Sequence, residues 1–190
     1  MFAYASAETQ VLGLVVARAT GSTLADYLRE KIWRPIGAEA DANWLIDAAG
    51  QEAAYCCLSA VLRDWARLAL LLAHDGRVGS GADARQLVPR EFIVEATTVA
   101  PENLHLQLAW DAPGFGYGYQ TWIVDPLASP PRRQFALVGV HGQLILVDPA
   151  SRLVLVQTAV RRQAADPNLE TLALWRELVR TMGTTARHGP

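Results

Sequence analysis

Apolar residues recur at helical spacing near the start of the chain. Between residues 8 and 20 they fall three or four positions apart, which predicts a helix with one apolar stripe. Gly21 follows the stripe and is suited to end this helix. Thr23 opens a Thr-Leu-Ala-Asp run with the form of a capping box and predicts a second helix, which Pro35 would stop. The stripe of the first helix consists of Leu12, Val15, Val16 and Ala19.

A third and stronger helical pattern lies further along the chain. It follows Ser59, a residue type that favours helix N-caps, and continues towards Gly76. We expect this helix to be the central buried one, because its apolar residues share one wide face. Pro89 fits the start of a further short helix. Residues 36–58 and 100–115 have no regular period and are predicted to be long connecting loops.

The second half of the chain changes to strand patterns. Residues 116–124 alternate aromatic with small or polar residues, and the Asp-Pro-Ala-Ser run at 148–151 predicts a tight antiparallel connection. Helical spacing from Leu169 to Met182 predicts a C-terminal helix. Together these elements predict an α+β fold, in which an antiparallel sheet of the C-terminal strands is covered by helices. The apolar strands of this sheet are predicted at residues 134–140, 143–147 and 152–158.

Composition is that of one globular domain and disfavours two classes of partner. The 190 residues are 51% hydrophobic and 19% charged, with no internal repeat or linker, so residues 1–190 are predicted to form a single domain. A net charge of −2 provides no basic surface for nucleic acid. No apolar run in the sequence approaches the ~18 residues that a membrane span needs. The expected partner is therefore a small molecule, and neither nucleic acid nor membrane.

The two cysteines, Cys56 and Cys57, are adjacent in the sequence. Neighbouring cysteines rarely form an unstrained disulfide, so both are predicted to be buried thiols. Their spacing matches neither a metal site nor a redox pair, and no cofactor is predicted.

Candidate chemistry begins at Tyr4 and Ser6, just ahead of the first helix. Side chains at positions i and i+2 of an extended segment project to the same side, so Tyr4 and Ser6 are predicted to face one cavity. The alternative is structural. In that case Tyr4 is an ordinary interface tyrosine and Ser6 is a helix N-cap, a role that suits Glu8 in the first turn.

A second candidate stretch lies within the predicted strands, from Gly139 to Pro149. Glycines beside a strand mark a place where another group approaches the backbone, and Gly139 and Gly142 flank His141 in this way. His141 is either a catalytic group or a hydrogen-bonded structural residue. Trp110, in the loop before the sheet, either lines a substrate pocket or fills an edge of the core.

Both stretches resemble active-site motifs of the serine β-lactamase-like hydrolases, in particular the esterase and 6-aminohexanoate-dimer hydrolase branch. The aromatic-x-Tyr-x-Ser run followed by Thr-Gln-Val-Leu-Gly is similar to the second motif of that superfamily. Gly-Val-His-Gly-Gln at 139–143 is similar to its third motif in the Gly-x-x-Gly-Gln form. The likeness extends from Phe2 to the C-terminal helix.

The resemblance implies a role for each of these residues. Tyr4 would relay a proton, Ser6 would support it by hydrogen bonding, and the Val140 N–H would be one of two donors in an oxyanion hole. The implied reaction is hydrolysis of a small ester or amide through an acyl-enzyme. The residues expected around the substrate are Gly139, Gly142, Gln143 and Trp110.

The chain departs from this superfamily in two places. Leu137 stands where penicillin-recognising members carry a Lys or His, which favours an uncharged ester or amide over a β-lactam carboxylate. The first motif, Ser-x-x-Lys, is absent, because the single lysine is Lys31 and Leu28 stands three residues before it. A phenol needs a neighbouring cation to act as a base near neutral pH, so we expect Tyr4 alone to be inert.

Two functions are consistent with these residues. The chain is either the C-terminal part of a serine hydrolase, with its serine and lysine elsewhere, or a non-catalytic hydrolase-like domain that binds a ligand or a partner chain. The first motif precedes the tyrosine motif in this superfamily, so we expect Met1 to be an internal start or the edge of a truncated gene model, and the fold to be an incomplete version. An open sheet edge, an exposed apolar face, and self-association or docking of a missing N-terminal segment then follow. The compartment stays unassigned, and would be cytoplasmic if Met1 were the true start.

Overall fold

The computed structural model of the chain describes residues 4–104, 115–128, 130–161 and 168–183. Five α-helices lie in these ranges, and a π-helical turn at Arg29–Trp33 extends the second of them. The helices are α1 (Ser6–Thr20), α2 (Leu24–Leu28), α3 (Leu62–Ala73), α4 (Arg90–Ala96) and α5 (Leu169–Met182). Short 3-10 turns cover Gly81–Asp83, Pro101–Asn103 and Val140–Gly142.

The strands of the described ranges form one large and two small antiparallel sheets. They are β1 (Asn43–Trp44), β2 (Leu58–Ser59), β3 (Arg77–Val78), β4 (Arg85–Gln86), β5 (Phe115–Tyr117), β6 (Trp122–Val124), β7 (Phe135–Val138), β8 (Leu144–Asp148) and β9 (Leu153–Gln157). β1 pairs with β2 and β3 with β4, whereas β5 to β9 form one sheet in sequence order. The predicted α+β fold with an antiparallel C-terminal sheet is therefore confirmed.

The connection between α1 and α2 follows its sequence signals. Gly21 ends α1 in the left-handed conformation, with φ 65°, and its N–H donates to the carbonyl oxygen of Ala17. Thr23 caps α2, because its Oγ1 accepts a hydrogen bond from the Asp26 N–H at 3.0 Å. Both helix boundaries were predictable because a glycine and a capping threonine act locally.

The start of α3 differs from the prediction. Its N-cap is Val61, whereas Ser59 pairs with Asn43 in the ladder between β1 and β2. A backbone that is committed to a strand cannot also cap a helix, so the prediction of Ser59 as the cap is wrong. The same strand pair corrects a second prediction. Residues 36–58 contain β1 and the first residue of β2, so this segment is not a loop throughout.

Residues 116–124 form a hairpin where the sequence pattern predicted one alternating strand. Gln120 adopts a left-handed conformation, with φ 55°, and the chain reverses there. β5 and β6 therefore pair with each other, placing Tyr117 opposite Trp122.

The five-stranded sheet is buried on both faces, against α3 on one side and α5 on the other. β8 is buried along its whole length, and its side chains alternate between the two layers. The α3 layer contains Ala69, Ala73, Val99, Ile123, Phe135, Ile145 and Val147. The α5 layer contains Trp122, Val124, Ala136, Leu144, Leu146, Leu172 and Trp175.

A buried carboxylate fixes the segment after α2 to α3. Asp64 accepts hydrogen bonds from the N–H groups of Glu39 at 2.9 Å and Ala40 at 3.1 Å. Arg67 Nη1 donates to Asp64 Oδ1 at 2.6 Å. Burial alone would raise the pKa of Asp64, but the two backbone donors and Arg67 outweigh it and hold that pKa below its usual value.

Cys56 and Cys57 are joined by a disulfide, so the prediction of two buried thiols is wrong. Cys57 is exposed and adopts a left-handed conformation, with φ 70°, whereas Cys56 is half-buried. The prediction rested on the rarity of disulfides between neighbouring residues. Here the bond forms where the backbone of Cys57 is left-handed.

The sheet has open edges, as the sequence analysis expected. β5 and β9 are its outer strands, and within the described ranges neither has a neighbour on its outer side. Among the described residues, no helix has both the length and the apolar character needed to cross a bilayer.

Candidate active site

Tyr4 lies beside the turn end of the hairpin formed by β5 and β6. Its ring stacks on Trp122, with ring centroids 6.0 Å apart, and meets the edge of Tyr117 at 6.3 Å. The residue Tyr4 remains 40% exposed. These contacts place Tyr4 against the first residue of β6 and the last residue of β5.

Ser6 does not occupy the predicted position. It is the first residue of α1, and the N-cap is Ala5, whose extended backbone has φ −138° and ψ 116°. No side-chain hydrogen bond caps α1, so the interpretation of Ser6 as an N-cap is wrong. The extended geometry that would aim Tyr4 and Ser6 to one side ends at Ala5, because the backbone turns into a helix there.

Two consecutive side chains fix the start of α1. Thr9 Oγ1 donates to Gln120 Oε1 at 2.8 Å, which ties α1 to the turn between β5 and β6. Gln10 Nε2 donates to the carbonyl oxygen of Glu52 at 3.0 Å, and Gln10 Oε1 accepts from the Ala54 N–H at 2.8 Å. The segment that follows Tyr4 is therefore held from two directions.

The turn between β7 and β8 contains the second candidate stretch. Gly139 N–H donates to the carbonyl oxygen of Gln143 at 2.8 Å and closes the turn. His141 and Gly142 are both left-handed, with φ 65° and 91°. Outside the turn, Gln157 Nε2 donates to the Gly142 carbonyl oxygen at 2.8 Å. The turn is thus held by its own backbone and by the end of β9.

The space beside each of the two glycines is filled by a side chain of the protein itself. A Cβ on Gly139 would lie 2.9 Å from Gln143 Cβ, and one on Gly142 would lie 2.8 Å from Arg161 Cδ. The group that approaches each backbone is therefore a side chain of this protein. Their assignment as substrate-binding residues, with the exposed Gln143, stays a prediction.

His141 has a defined structural contact. Its Nδ1 lies 2.9 Å from the carbonyl oxygen of Arg161, so the histidine is hydrogen-bonded and half-buried. This contact agrees with the interpretation of His141 as a hydrogen-bonded structural residue. The contact uses Nδ1 and not Nε2, and a catalytic role for His141 stays a prediction.

Tyr4 and the turn lie at the same end of the sheet. Trp122, which contacts Tyr4, is opposite Ala136 on β7, and Val138 ends β7 two residues further along. Two residues of strand correspond to ~7 Å. Val140 follows and is 62% exposed. Within the described part of the chain, the Val140 N–H has no hydrogen-bond acceptor.

Tyr117 is a polar neighbour of Tyr4 that the motif reasoning missed. Burial raises the pKa of Tyr117 to about 12, and Tyr4 and Glu8 contribute in the same direction. The Tyr117 phenol is therefore neutral at physiological pH. The alternation of aromatics at 116–124 was the signal that could have placed it near the site.

Residues 1–179 match the sequence model of a family described as β-lactamase. The chain belongs to the β-lactamase family. It is also similar to a 6-aminohexanoate-dimer hydrolase of Paenarthrobacter ureafaciens, with 27% identity over 156 residues, which is 82% of this chain and 38% of the relative. The family indicated by the sequence motifs is confirmed.

Two solved structures share the fold of this β-lactamase-family chain. A Bacillus anthracis protein, provisionally assigned as a 6-aminohexanoate-dimer hydrolase, has a TM-score of 0.79 at 24% identity, over 97% of this chain and 45% of its own. A β-lactamase of Mycobacterium bovis has a TM-score of 0.67 at 25% identity, over 93% of this chain and 63% of its own. The chain spans less than half the length of the curated relative and of the Bacillus anthracis structure.

Leu137, the residue that the motif resemblance predicts in place of the cation of penicillin-recognising hydrolases, lies on β7. Its side chain is half-buried and packs against the α3 layer. An aliphatic side chain in that position has no charge with which to hold a carboxylate.

The remaining predicted site residue, Trp110, lies outside the described residues. The described ranges also contain no group of His, Cys, Asp or Glu side chains that is arranged to hold a metal ion.

Proposed function

We propose that this β-lactamase-family chain supplies the tyrosine and one oxyanion donor of a serine hydrolase that cleaves a small ester or amide. The observation that carries the proposal is the placement of Tyr4 and the turn at 139–143 at one end of the sheet. Tyr4 relays the proton of the attacking serine, and the N–H of the exposed residue Val140 donates to the carbonyl oxygen as it becomes negatively charged. An N–H without another acceptor is suited to that task.

The reaction proceeds in two steps. The serine oxygen attacks the carbonyl carbon, its proton passes through the tyrosine to the leaving group, and the carbon–oxygen or carbon–nitrogen bond breaks. Water then attacks the acyl-enzyme, gives a proton back to the serine and releases the acid. The partner of the site is therefore a small ester or amide.

The serine and the lysine of this mechanism come from polypeptide outside these 190 residues. The sequence contains no Ser-x-x-Lys motif. Lys31 stands over the Tyr27 ring, 5.9 Å from its centroid, on the π-helical extension of α2. We therefore propose that the isolated chain is inactive and that the site is completed when a segment carrying Ser-x-x-Lys docks beside Tyr4.

The substrate is an uncharged ester or amide. Leu137, packed against the α3 layer, leaves that position without a cation for a carboxylate. This distinguishes the proposed substrate from a β-lactam, whose carboxylate needs such a partner.

The absence of Ser-x-x-Lys from the sequence also favours a second candidate, a non-catalytic domain that binds a ligand or a partner chain. The genomic sequence upstream of Met1 distinguishes the two. An in-frame Ser-x-x-Lys supports the hydrolase, and a stop codon directly before Met1 supports the binding domain.

If the reading frame extends upstream, the extended protein is assayed with a chromogenic ester. Tyr4→Phe is expected to lower kcat/KM by ~10²-fold or more, the range that positioned acid–base groups contribute. Tyr119→Phe is the matched control, because the Tyr119 hydroxyl donates to Glu95 at 2.6 Å, on the surface. Equal losses in both variants would contradict the role of Tyr4.

The 190-residue chain itself is the second test. It should hydrolyse the ester no faster than its Tyr4→Phe variant, and a fluorophosphonate probe should label no serine. Turnover by the isolated chain that Tyr4→Phe abolishes would show that this chain carries its own nucleophile.

A further inference from the structure

Residues 118–121 connect β5 to β6, and we call them the hairpin tip. The N–H of Gly118 donates to the carbonyl oxygen of Thr121 at 2.9 Å and closes the tip. The Thr121 hydroxyl donates to the carbonyl oxygen of Ala96, the last residue of α4. Gly118 packs against the same oxygen, since a Cβ there would lie 2.2 Å from it. The hairpin tip is therefore fixed by its own backbone and by α4.

Gln120 occupies an unfavourable position in the hairpin tip. Its φ is 55°, in the left-handed region that suits glycine and strains a residue with a Cβ. The side chain is exposed, so burial does not account for it. Glycine would make the same turn without strain, and what glutamine adds is an amide group. That amide has a defined partner, because Gln120 Oε1 accepts a hydrogen bond from Thr9 Oγ1 at 2.8 Å.

The bond between Thr9 and Gln120 joins the two supports of Tyr4. The first support is the hairpin, where Tyr4 stacks on Trp122 and meets the edge of Tyr117, the pair of residues that flanks the hairpin tip. The second support is α1, which begins two residues after Tyr4 and contains Thr9 in its first turn. The bond thus closes a ring of contacts that runs from Tyr4 through the hairpin to α1 and back.

We propose that Gln120 is a positioning residue for Tyr4 and acts through Thr9. The hairpin tip, anchored on α4, holds the first turn of α1, and that turn holds the backbone of Tyr4. The effect on catalysis rests on the proposed role of Tyr4 as a proton relay. A relay must lie within hydrogen-bond reach of the groups that exchange the proton, so a small displacement of its phenol slows the reaction.

Gln120→Gly separates positioning from support of the fold. It removes the amide but relieves the left-handed backbone. In the extended hydrolase we expect kcat for the chromogenic ester to fall about threefold to tenfold, the range that one exposed hydrogen bond spans, with KM unchanged. The midpoint of urea unfolding should stay the same or rise, because the relieved strain offsets the lost bond. A residue that only supports the fold would lower both quantities together.

Thr9 provides the matched variants. Thr9→Val removes the hydroxyl at nearly constant shape and should lower kcat by the same factor, whereas Thr9→Ser keeps the hydroxyl and should retain the wild-type value. Thr9→Val combined with Gln120→Gly should lose no more than either change alone, because both remove one bond. Thr20→Val is the control on the same helix. The Thr20 hydroxyl donates to the Val16 carbonyl oxygen at 2.8 Å within α1, and its removal should leave kcat unchanged.

The position of Tyr4 is measured directly, without catalysis, in the 190-residue chain. The five tyrosines are replaced by 3-fluorotyrosine, and Tyr4→Phe identifies the Tyr4 signal in the fluorine NMR spectrum. Because Tyr4 stacks on Trp122, the indole ring current displaces this signal from its position in concentrated urea. Thr9→Val and Gln120→Gly should move the signal towards that position. Thr9→Ser and Thr20→Val should leave it in place.

Three results would overturn the proposal. The first is a Tyr4 signal that Thr9→Val and Gln120→Gly leave in place, or that Thr20→Val moves equally far. The second is full kcat in both of those variants of an extended protein whose kcat falls with Tyr4→Phe. The third is a pair of kcat losses that add in the double variant.

Failure of the proposed function gives a different pattern. In that case Tyr4→Phe leaves the kcat of the extended protein unchanged, or no extended hydrolase exists. The fluorine signal of Tyr4 still decides whether Gln120 and Thr9 set its position.

Discussion

His141 and Arg161 are joined by a reciprocal pair of contacts. His141 Nδ1 lies 2.9 Å from the Arg161 carbonyl oxygen, and the Arg161 N–H donates to the His141 carbonyl oxygen at 2.9 Å. A carbonyl oxygen only accepts, so Nδ1 carries the proton of the neutral imidazole. The chain after β9 is thereby attached to the turn that presents Val140.

Replacing His141 with alanine is expected to destabilise the protein by about 1 kcal/mol, because one partly buried hydrogen bond is lost. The midpoint and slope of urea unfolding measure this change. His74→Ala is the control, since His74 is exposed at the end of α3. Equal destabilisation by both substitutions would contradict the structural role of His141.

Gly142→Ala is expected to cost more than Gly37→Ala. Both glycines have positive φ, 91° and 73°, so each substitution carries a backbone penalty of roughly 1–2 kcal/mol. A Cβ on Gly142 also meets Arg161 at 2.8 Å, whereas one on Gly37 meets nothing within 4 Å. The difference in unfolding free energy should disappear in an Arg161→Ala background. A difference that persists there would mean that Arg161 is not its cause.

Asp64→Asn is expected to lower the melting temperature by roughly 5–15 °C at neutral pH, because it breaks a buried ion pair. The pKa of folded Asp64 is held below that of the unfolded chain, so its stabilisation is complete above pH ~4 and is lost as the pH falls further. Between pH 7 and pH 3, the melting temperature of the variant should therefore fall less steeply than that of the wild type. Parallel curves for both proteins would argue against this linkage.

Tyr117→Phe is expected to flatten the alkaline limb of the stability curve. The pKa of Tyr117 is about 12 in the folded protein, and an unfolded phenol has a pKa of ~10. The folded protein therefore holds this proton more tightly, and the stabilisation present below pH ~10 is lost as the pH rises towards 12. Chemical denaturation at increasing pH measures the effect, with the same change at the exposed Tyr55 as the control. The interpretation fails if the two variants behave alike.

The disulfide between Cys56 and Cys57 predicts the thiol content of the protein. Denatured but unreduced protein should react with no thiol reagent, whereas reduced protein should take up one label on each cysteine. Alkylation under denaturing conditions followed by mass spectrometry distinguishes the two forms. Labelling of both cysteines without prior reduction would contradict the bond.

Local signals in the sequence predicted most of the fold. Gly21 and Thr23 set helix boundaries because their effects act within one turn, and the Asp-Pro-Ala-Ser run placed the hairpin between β8 and β9 correctly. Signals failed where another part of the chain competed for the same residue. Ser59 pairs with Asn43 in a strand, and that pairing depends on a distant segment.

The candidate site was only partly predictable for a related reason. The motifs indicated Tyr4 and the turn at 139–143, but the neighbours of Tyr4 come from β5 and β6. A left-handed backbone at Gln120 creates that hairpin, and nothing in the alternating pattern required the reversal. The helical spacing of apolar residues predicted the apolar stripe of α1. Spacing alone does not show whether that stripe faces the core or the solvent.

The amide of Gln10 imposes a constraint on the length of the polypeptide. It donates to the Glu52 carbonyl oxygen and accepts from the Ala54 N–H. The side chain therefore bridges two backbone groups at a fixed separation, as an adjacent β-strand would. Inserting or deleting one residue between these two partners would take one of them out of reach. Related sequences that keep a glutamine here should therefore vary in length elsewhere in the 36–58 segment but not within this short interval.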